Sequence, residues 1–575
     1  MFRWITLGCL ACSTAPSEGT EETGTSIATA TTDTTSTTQA TTDTTGGTTS
    51  GSTTATTTGT TPFTGKTRVE LQGPVVCANP ENRTAAPFSL DRYPSPEQAL
   101  LRAHGGGVVA GDFAGDGAPD LFFLGSNRSD YVVQHPDGTW EQNPFGMIDP
   151  TTPMSMIFGG SVADYDGDGD LDVFLSRYKE PNLLLENDGT GSFRDVAASR
   201  GIAGDVQHFS GSSAWSDFDN DGDLDLFVSG HGYVIEGAAP RSELEPGNRS
   251  YLYTNDGVGN FTDVSSILPE PFHDTYTFIG TWIDLDRDGW TDLYGVNDLG
   301  NAYLPCSFMW SEEGKGFVMD DNAAGLDVDV AGMGLALGDL NKDGIDDFLV
   351  TAWERMKFML SSPSLGMWVD YSVDRGFVPN VADDQVVGWG AEFGDMDNDQ
   401  DLDAAVVFGK LTTAFISNPQ NQPDGLWIQQ DDLSFVDEAA AWGVADRGVG
   451  RGLAVTDLNG DGWLDIAKAD VSGPGLVHLS NCGENAWLRI NLRDETTANT
   501  HAVGARVRVK TVKGWMERTL VAGGTGYGSG SHPEAHFGLG SEEAVLNVEV
   551  DWPDGTTQRL GTQPARHVLT ITRIE

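Results

Sequence analysis

The sequence is short of positive charge, of cysteine and of long apolar runs, and each shortage excludes something. Only 33 Lys and Arg stand against 85 Asp and Glu, a formal net charge of −52, so neither nucleic acid nor an anionic membrane surface is an expected partner. No segment beyond the N-terminus is long and apolar enough to cross a bilayer, which leaves a lipid anchor as the one expected membrane attachment. Five cysteines in 575 residues leave room for few disulfides. Catalytic signatures are also missing: there is no G-x-S-x-G elbow, phosphate loop or dinucleotide fingerprint in a supporting strand–helix context. Acidity of this degree often means disorder, but 15 Trp and 26 Phe require buried cores. With 72 glycines, the expected class is a turn-rich all-β protein of more than one unit.

The opening "MFRWITLGCLACSTAP" has one positive charge, a short apolar run and cysteines after small residues. It resembles the signal segment of a bacterial lipoprotein over residues 1–12, with Cys12 as the expected lipidated residue and Cys9 as the alternative. A short cytosolic N-terminus is the competing reading. Residues 13–66 are a Thr/Ser/Gly run with almost no large apolar side chains, expected to be a disordered linker. Such a tether would hold a folded body roughly 40 Å from its anchor. If Cys12 is lipidated and Cys9 removed, Cys77, Cys306 and Cys482 remain, so at most one disulfide can form.

From about residue 75 to 483 an acidic nonapeptide, "DYDGDGDLD" in its fullest form, recurs. Its copies start at Asp112, Asp164, Asp217, Asp284, Asp339, Asp395 and Asp457, between 52 (112 to 164) and 67 (217 to 284) residues apart, the range of a propeller blade. Each follows a small-residue segment such as "FGGSVA" and precedes a short β-type run such as "VFLS", a further strand and an aromatic-led segment. Four short strands separated by Gly/Asp turns make one antiparallel blade. The last repeat lacks its aromatic-led strand, while "APFSLDRYPSPEQALL", Ala86 to Leu101, precedes the first without a blade of its own. That segment can supply the missing strand and close a seven-bladed ring. Closure would also bring Cys77 towards Cys482, with Cys306 as a rival on paper. Residues 484–575 change pattern and read as a smaller all-β domain.

Overlaying the seven copies exposes their chemistry. Position 1 is always Asp, and position 3 is Asp166, Asp219, Asp286, Asn341, Asp397 or Asn459, with Ala114 as the exception. Position 5 is Asp116, Asp168, Asp221, Asp288, Asp343, Asp399 and Asp461, and position 9 is Asp120, Asp172, Asp225, Asp292, Asp347, Asp403 and Asp465. Position 6 is glycine except at Gln400. Oxygen ligands at alternate positions around a sharp turn suit calcium, a hard cation wanting six to eight oxygens. Zinc would want His or Cys, and magnesium rarely accepts an all-protein cage. The loops are not EF-hands, because position 12 falls in β-type runs and holds no bidentate Glu. Up to seven Ca²⁺ are expected, one per blade, with the Asp112 and Asp395 loops imperfect.

The motif and blade pattern resemble FG-GAP/VCBS repeats, which build the propeller of integrin α chains. The tail, with "NAWLRINL", "AVGARVRVK", "GGTGYGSGSHPEAHFGLG" and "VEVDWPDG", resembles the ASPIC/UnbV domain, an architecture shared by the cartilage acidic protein family and by many exported bacterial proteins. The resemblance implies the fold and the calcium ligands, and no agreed activity. The expected function is an exported or cell-surface, non-enzymatic module binding an extracellular glycan or protein. The alternatives are an exported enzyme acting on polysaccharide from the propeller's central face, and a structural surface component. "SHPEAHF" is not H-E-x-x-H, so His532 and His536 read as loop hydrogen-bonders, not metal ligands. The insertion at 230–250 is the best local guess for a ligand loop.

Overall fold

The computed structural model describes residues 61–75, 85–88 and 105–574, apart from 64, 126–127, 145, 233–246, 301–302, 320–324, 354, 380–385, 411–421 and 472–474. The expectations for Cys9, Cys12, most of the linker, Cys77 and the centre of the 230–250 insertion lie outside the described residues.

The described chain is almost entirely β. Its repeats form seven sheets of four antiparallel repeat strands each among the described residues, and two of these sheets gain a fifth strand from the C-terminal part of the chain. In the second of them Ile157–Ala163, Asp172–Arg177, Leu183–Asn187 and Phe193–Asp195 pair in order. The first strand of each sheet lies beside the first strand of the next, and Gly450–Thr456 of the seventh lies beside Val108–Gly111 of the first, so the sheets form a closed propeller. Closure is as the orphan segment implied: Ala85–Phe88 pairs antiparallel with Gly475–His478 as the outer strand of the seventh sheet. The borrowed strand covers the edge of Gly475–His478 that the short seventh repeat would leave open. The cores lie between neighbouring blades, as where Phe113, Phe122 and Tyr131 of the first meet Leu175 and Phe193 of the second.

Residues 486–574 build two larger sheets and a short two-stranded one, Ala544–Val545 with Gln563–Pro564, around one core containing Leu488, Val507, Phe537, Val550 and Ile571. Strand pairing begins inside the stretch expected to be linker. Thr61–Pro62 pairs parallel with Thr556–Arg559, and Lys66–Gln72 pairs along its whole length with His567–Ile574. Those residues offer backbone groups to two sheet edges that would otherwise stay open, which is why ordered pairing begins before residue 66. Ala535–Gly540 is also a strand, so His536 sits in a sheet and not in a loop.

The C-terminal domain does not stand apart from the propeller. Its segment 522–531 enters the central axis, where Ala522–Gly523 pairs with Ser210–Ser216 of the third blade and Gly530–Ser531 pairs with Val108–Gly111 of the first. Between them Gly526 donates to the carbonyls of Leu335 and Ala391, and Ser529 Oγ accepts from the backbone N–H groups of Val108 and Leu453. Tyr527 is fully buried among Phe158, Phe278 and Trp389. The small residues of the inner strands make room for this insertion: a Cβ at Gly107 would stand 1.7 Å from the Gly528 carbonyl oxygen.

Candidate metal centres

Each acidic nonapeptide links the first and second strands of its blade, so all seven lie on one face of the ring. Their turn is built in much the same way. In six of the seven the position-1 carboxylate accepts backbone N–H groups from positions 5 and 6, as Asp217 does from Asp221 (2.9 Å) and Gly222 (3.1 Å), while Asp284 accepts from Gly289 and the Asp288 N–H turns to Asp286 instead. Position 6 takes a left-handed φ, +97° at Gly222, and so does position 4, where Asn220 has φ +58°. The second left-handed residue was missed in the sequence because its identity varies from Gly to Asn, Arg and Lys. Gln400 adopts φ +90° at position 6, a conformation that strains a residue carrying a Cβ. Its side chain is held by the C-terminal domain, donating to Leu539 O at 3.0 Å and accepting from Thr511 Oγ1 at 2.8 Å.

Position 9 latches the blade. Asp225 Oδ1 accepts from Asn255 N, just past the third strand Tyr251–Thr254, at 3.0 Å while Oδ2 accepts from Phe218 N at 3.2 Å. The same pair of bonds recurs at Asp292, Asp347, Asp403 and Asp465. Position-5 carboxylates each accept from the N–H of position 7, as Asp168 does from Asp170 at 3.0 Å.

Four loops bring carboxylates into one small volume. Asp164, Asp166 and Asp172, Asp217, Asp219 and Asp225, Asp284, Asp286 and Asp292, and Asp395, Asp397 and Asp399 each offer oxygens within 4.8 Å of one another. Three of these loops leave a buried carboxylate oxygen without a hydrogen-bond partner: Asp166 Oδ1, Asp219 Oδ1 and Asp284 Oδ1. Anions so placed are unfavourable alone. Burial, reinforced by the neighbouring carboxylates, pushes Asp164 up to about 6, Asp217 to about 7 and Asp292 to about 8. A set of hard oxygen donors, partly unsatisfied and mutually repelling, fits a hard cation. In the Asp112 loop Ala114 supplies no side-chain oxygen, and Asp120 is committed to Gln134 N and the Tyr131 hydroxyl.

The C-terminal domain covers this acidic face. Arg489 donates to Asp457, Thr500 to Asp164, and Arg506 to the carbonyl of Asp284. Asn499 N bonds Gly222 O, and His536 Nε2 meets Gly462 O at 3.0 Å. Desolvation holds His532 and His536 down near 4, so both are neutral at ordinary pH. Among the cysteines, Cys482 is disulfide-bonded to a partner outside the described residues. Cys306 is a buried free thiol, which removes it as the rival for that bond.

Comparison with known families agrees with these repeats. The FG-GAP-like repeat family matches residues 112–175 and 164–228, and the ASPIC and UnbV family matches 495–575. The chain carries FG-GAP-like repeats followed by an ASPIC/UnbV domain. This FG-GAP repeat chain is related to cartilage acidic protein 1. It is 26% identical to the Mus musculus protein over 521 residues, covering 84% of this chain and 67% of the relative. Against the Homo sapiens protein it is 26% identical over 502 residues, covering 81% and 63%. The FG-GAP repeat chain thus spans about two thirds of the length of these relatives. Similar solved structures include an Agrocybe aegerita lectin recognising non-reducing terminal N-acetylglucosamine, at 15% identity and TM-score 0.38 over 65% of this chain and 94% of that one. AofleA from Arthrobotrys oligospora is similar at 10% identity and TM-score 0.33 over 59% and 88%.

Proposed function

We propose that the protein is an exported, calcium-loaded propeller that recognises an extracellular glycan or protein and carries out no chemistry of its own. The observation that carries the calcium reading is the set of buried, unpartnered carboxylate oxygens at Asp166, Asp219 and Asp284 inside converging acidic loops. Calcium, when bound, supplies charge neutralisation and a fixed link between the turn and the blade. Asp164, Asp166, Asp168 and Asp172, with their counterparts in the other loops, would hold it. The chain's own residues shape the cage: position 1 fixes the turn and position 9 ties it to the third strand.

The polysaccharide-enzyme alternative needs an accessible site at the propeller's centre, and that axis is filled by Tyr527 and its glycine-rich neighbours. This favours a recognition module whose binding surface lies on the outer faces and loops. The relation to cartilage acidic protein 1 and the Thr-rich tether support an extracellular setting, with lipidation at Cys12 as the proposed anchor. The test is binding of the full-length chain to glycan and cell-envelope arrays, with calcium and with chelator. Calcium-dependent capture of a defined ligand class is expected. A folded, calcium-loaded chain that captures nothing overturns the recognition reading.

A further inference from the structure

The seven acidic loops share a motif, but their hydrogen bonding does not treat them alike. In the loop starting at Asp457 the side chain at every ligand position already accepts hydrogen bonds. Asp457 Oδ1 accepts from Asp461 N at 3.0 Å, and Oδ2 accepts from Gly462 N and from Arg489 Nη1, both at 2.7 Å. Asn459 Oδ1 accepts from Asp461 N at 3.0 Å, and Asp461 Oδ1 from Trp463 N at 2.9 Å. Asp465 accepts from Ser480 N and Leu458 N at 2.7 and 2.9 Å. No buried side-chain oxygen of this loop lacks a partner, whereas the Asp164 and Asp284 loops each leave one carboxylate oxygen and the Asp217 loop leaves two, at Asp219 and Asp223.

The Asp112, Asp339 and Asp395 loops leave no buried carboxylate oxygen unpartnered either, and what sets the Asp457 loop apart is Arg489, whose guanidinium donates to its position-1 carboxylate. This arginine projects from the strand Ala486–Asp494 of the C-terminal domain, is buried, and is gripped on its far side by Glu534 through Nε at 2.8 Å and Nη2 at 2.7 Å. A planar guanidinium held bidentately on one side has little freedom to withdraw from the carboxylate on the other. It therefore keeps a full positive charge against the first ligand of the loop. A divalent cation entering there would meet that charge at close range with little water to screen it. Position 3 is also neutral in this loop, since Asn459 replaces Asp, so fewer carboxylates would oppose the repulsion. The contrast with the Asp284 loop is informative. Arg506 stands 3.6 Å from Asp284 Oδ2, too far for a hydrogen bond, and Asp284 Oδ1 stays unpartnered.

We infer that Arg489 takes the place of the divalent cation at the Asp457 loop, so that this blade is closed by a side chain of the C-terminal domain while the Asp164, Asp217 and Asp284 loops take metal. The inference rests on the calcium reading proposed above. It makes the domain part of the propeller's cation set: the same strand that covers the acidic face supplies one of its positive charges. A propeller without that domain would have a bare acidic loop in its last blade.

The experiment counts calcium ions bound per full-length chain by native mass spectrometry, checked by equilibrium dialysis. Two matched substitutions at position 5, Asp221→Asn and Asp461→Asn, remove the same charge from the two kinds of loop. The expected result is a count lower by one for Asp221→Asn and an unchanged count for Asp461→Asn. The double substitution Arg489→Gln with Glu534→Gln removes the ion pair without stranding either buried charge, and is expected to raise the count by one. A count that falls by one with Asp461→Asn, in a chain whose near-ultraviolet dichroism is native, overturns the inference and leaves the calcium reading standing. A native chain that binds no calcium overturns that reading and this inference with it.

Discussion

Tyr527 of the C-terminal domain packs edge-on against Trp389 of the sixth blade, ring centroids 4.8 Å apart, on the axis of the propeller. The same ring meets Phe158 of the second blade at 5.2 Å and Phe278 of the fourth at 5.4 Å. One side chain thus joins blades far apart in sequence, and the segment that delivers it joins the inner strands by backbone pairing. The C-terminal domain is a structural part of the propeller.

Tyr527→Ala should cost about 3–5 kcal/mol, as expected for emptying a fully buried aromatic position. Gly107→Ala should act through the same segment, because its Cβ has no room beside the Gly528 carbonyl. Thermal unfolding followed by near-ultraviolet dichroism reads both. A Tyr527→Ala protein as stable as the native one would mean that the axial segment is not docked in solution.

The acidic loops give stability a pH dependence that calcium should reverse. Without metal, Asp217 and Asp292 are raised by burial and like charges to about 7 and about 8, against an ordinary value of 3.8. A carboxyl raised in the folded state contributes stability that is present below its unfolded value and is lost as pH climbs through its folded value. In chelator the melting temperature should therefore fall from pH 5 to pH 8.5. In excess calcium that fall should be absent, since the ionised loops are neutralised. Asp168→Ala should lower the calcium-loaded melting temperature by less than chelation does. Parallel curves with and without calcium would argue against the cage.

Gln400 offers a test of strain against hydrogen bonding. Gln400→Ala keeps the left-handed backbone and loses the bonds to Leu539 and Thr511, so a loss of about 1–2 kcal/mol is expected. Gln400→Gly loses the same bonds but relieves the backbone, so its cost should be smaller. The order of the two midpoints in urea decides it.

Cys306 and Cys482 should behave differently towards thiol chemistry. Burial pushes the Cys306 thiol up to about 12, so it should resist a thiol reagent until the chain unfolds. Reduction of the Cys482 disulfide should lower stability by about 2–4 kcal/mol. A native chain that loses no stability on reduction would show that this bond does not staple the ring.

Much of the propeller was legible in the sequence because its information is local and repeated. Asp at positions 1, 5 and 9 recurs with every blade, and the copies make the same turn through nearly the same backbone bonds. A residue that must accept N–H groups four and five places further on leaves a periodic trace. Even closure was readable, since Ala85–Phe88 and the short seventh repeat are complementary remnants of one blade. The left-handed position 4 was not, because Gly, Asn, Arg and Lys all occupy it.

What the sequence by itself determined was the blade, its acidic turn and the way the ring closes. The tertiary structure alone decided that "GGTGYGSGSH" threads the axis, that Thr61–Pro62 and Lys66–Gln72 complete the C-terminal sheets, and that Arg489 faces Asp457. These contacts join residues from 32 to just over 500 positions apart. Each occurs once, so no period announces it. A glycine-rich stretch looks the same on paper whether it lies in solvent or between packed strands, because its lack of side chains permits both. Which of the two is realised depends on shape complementarity between surfaces that exist only after each has folded.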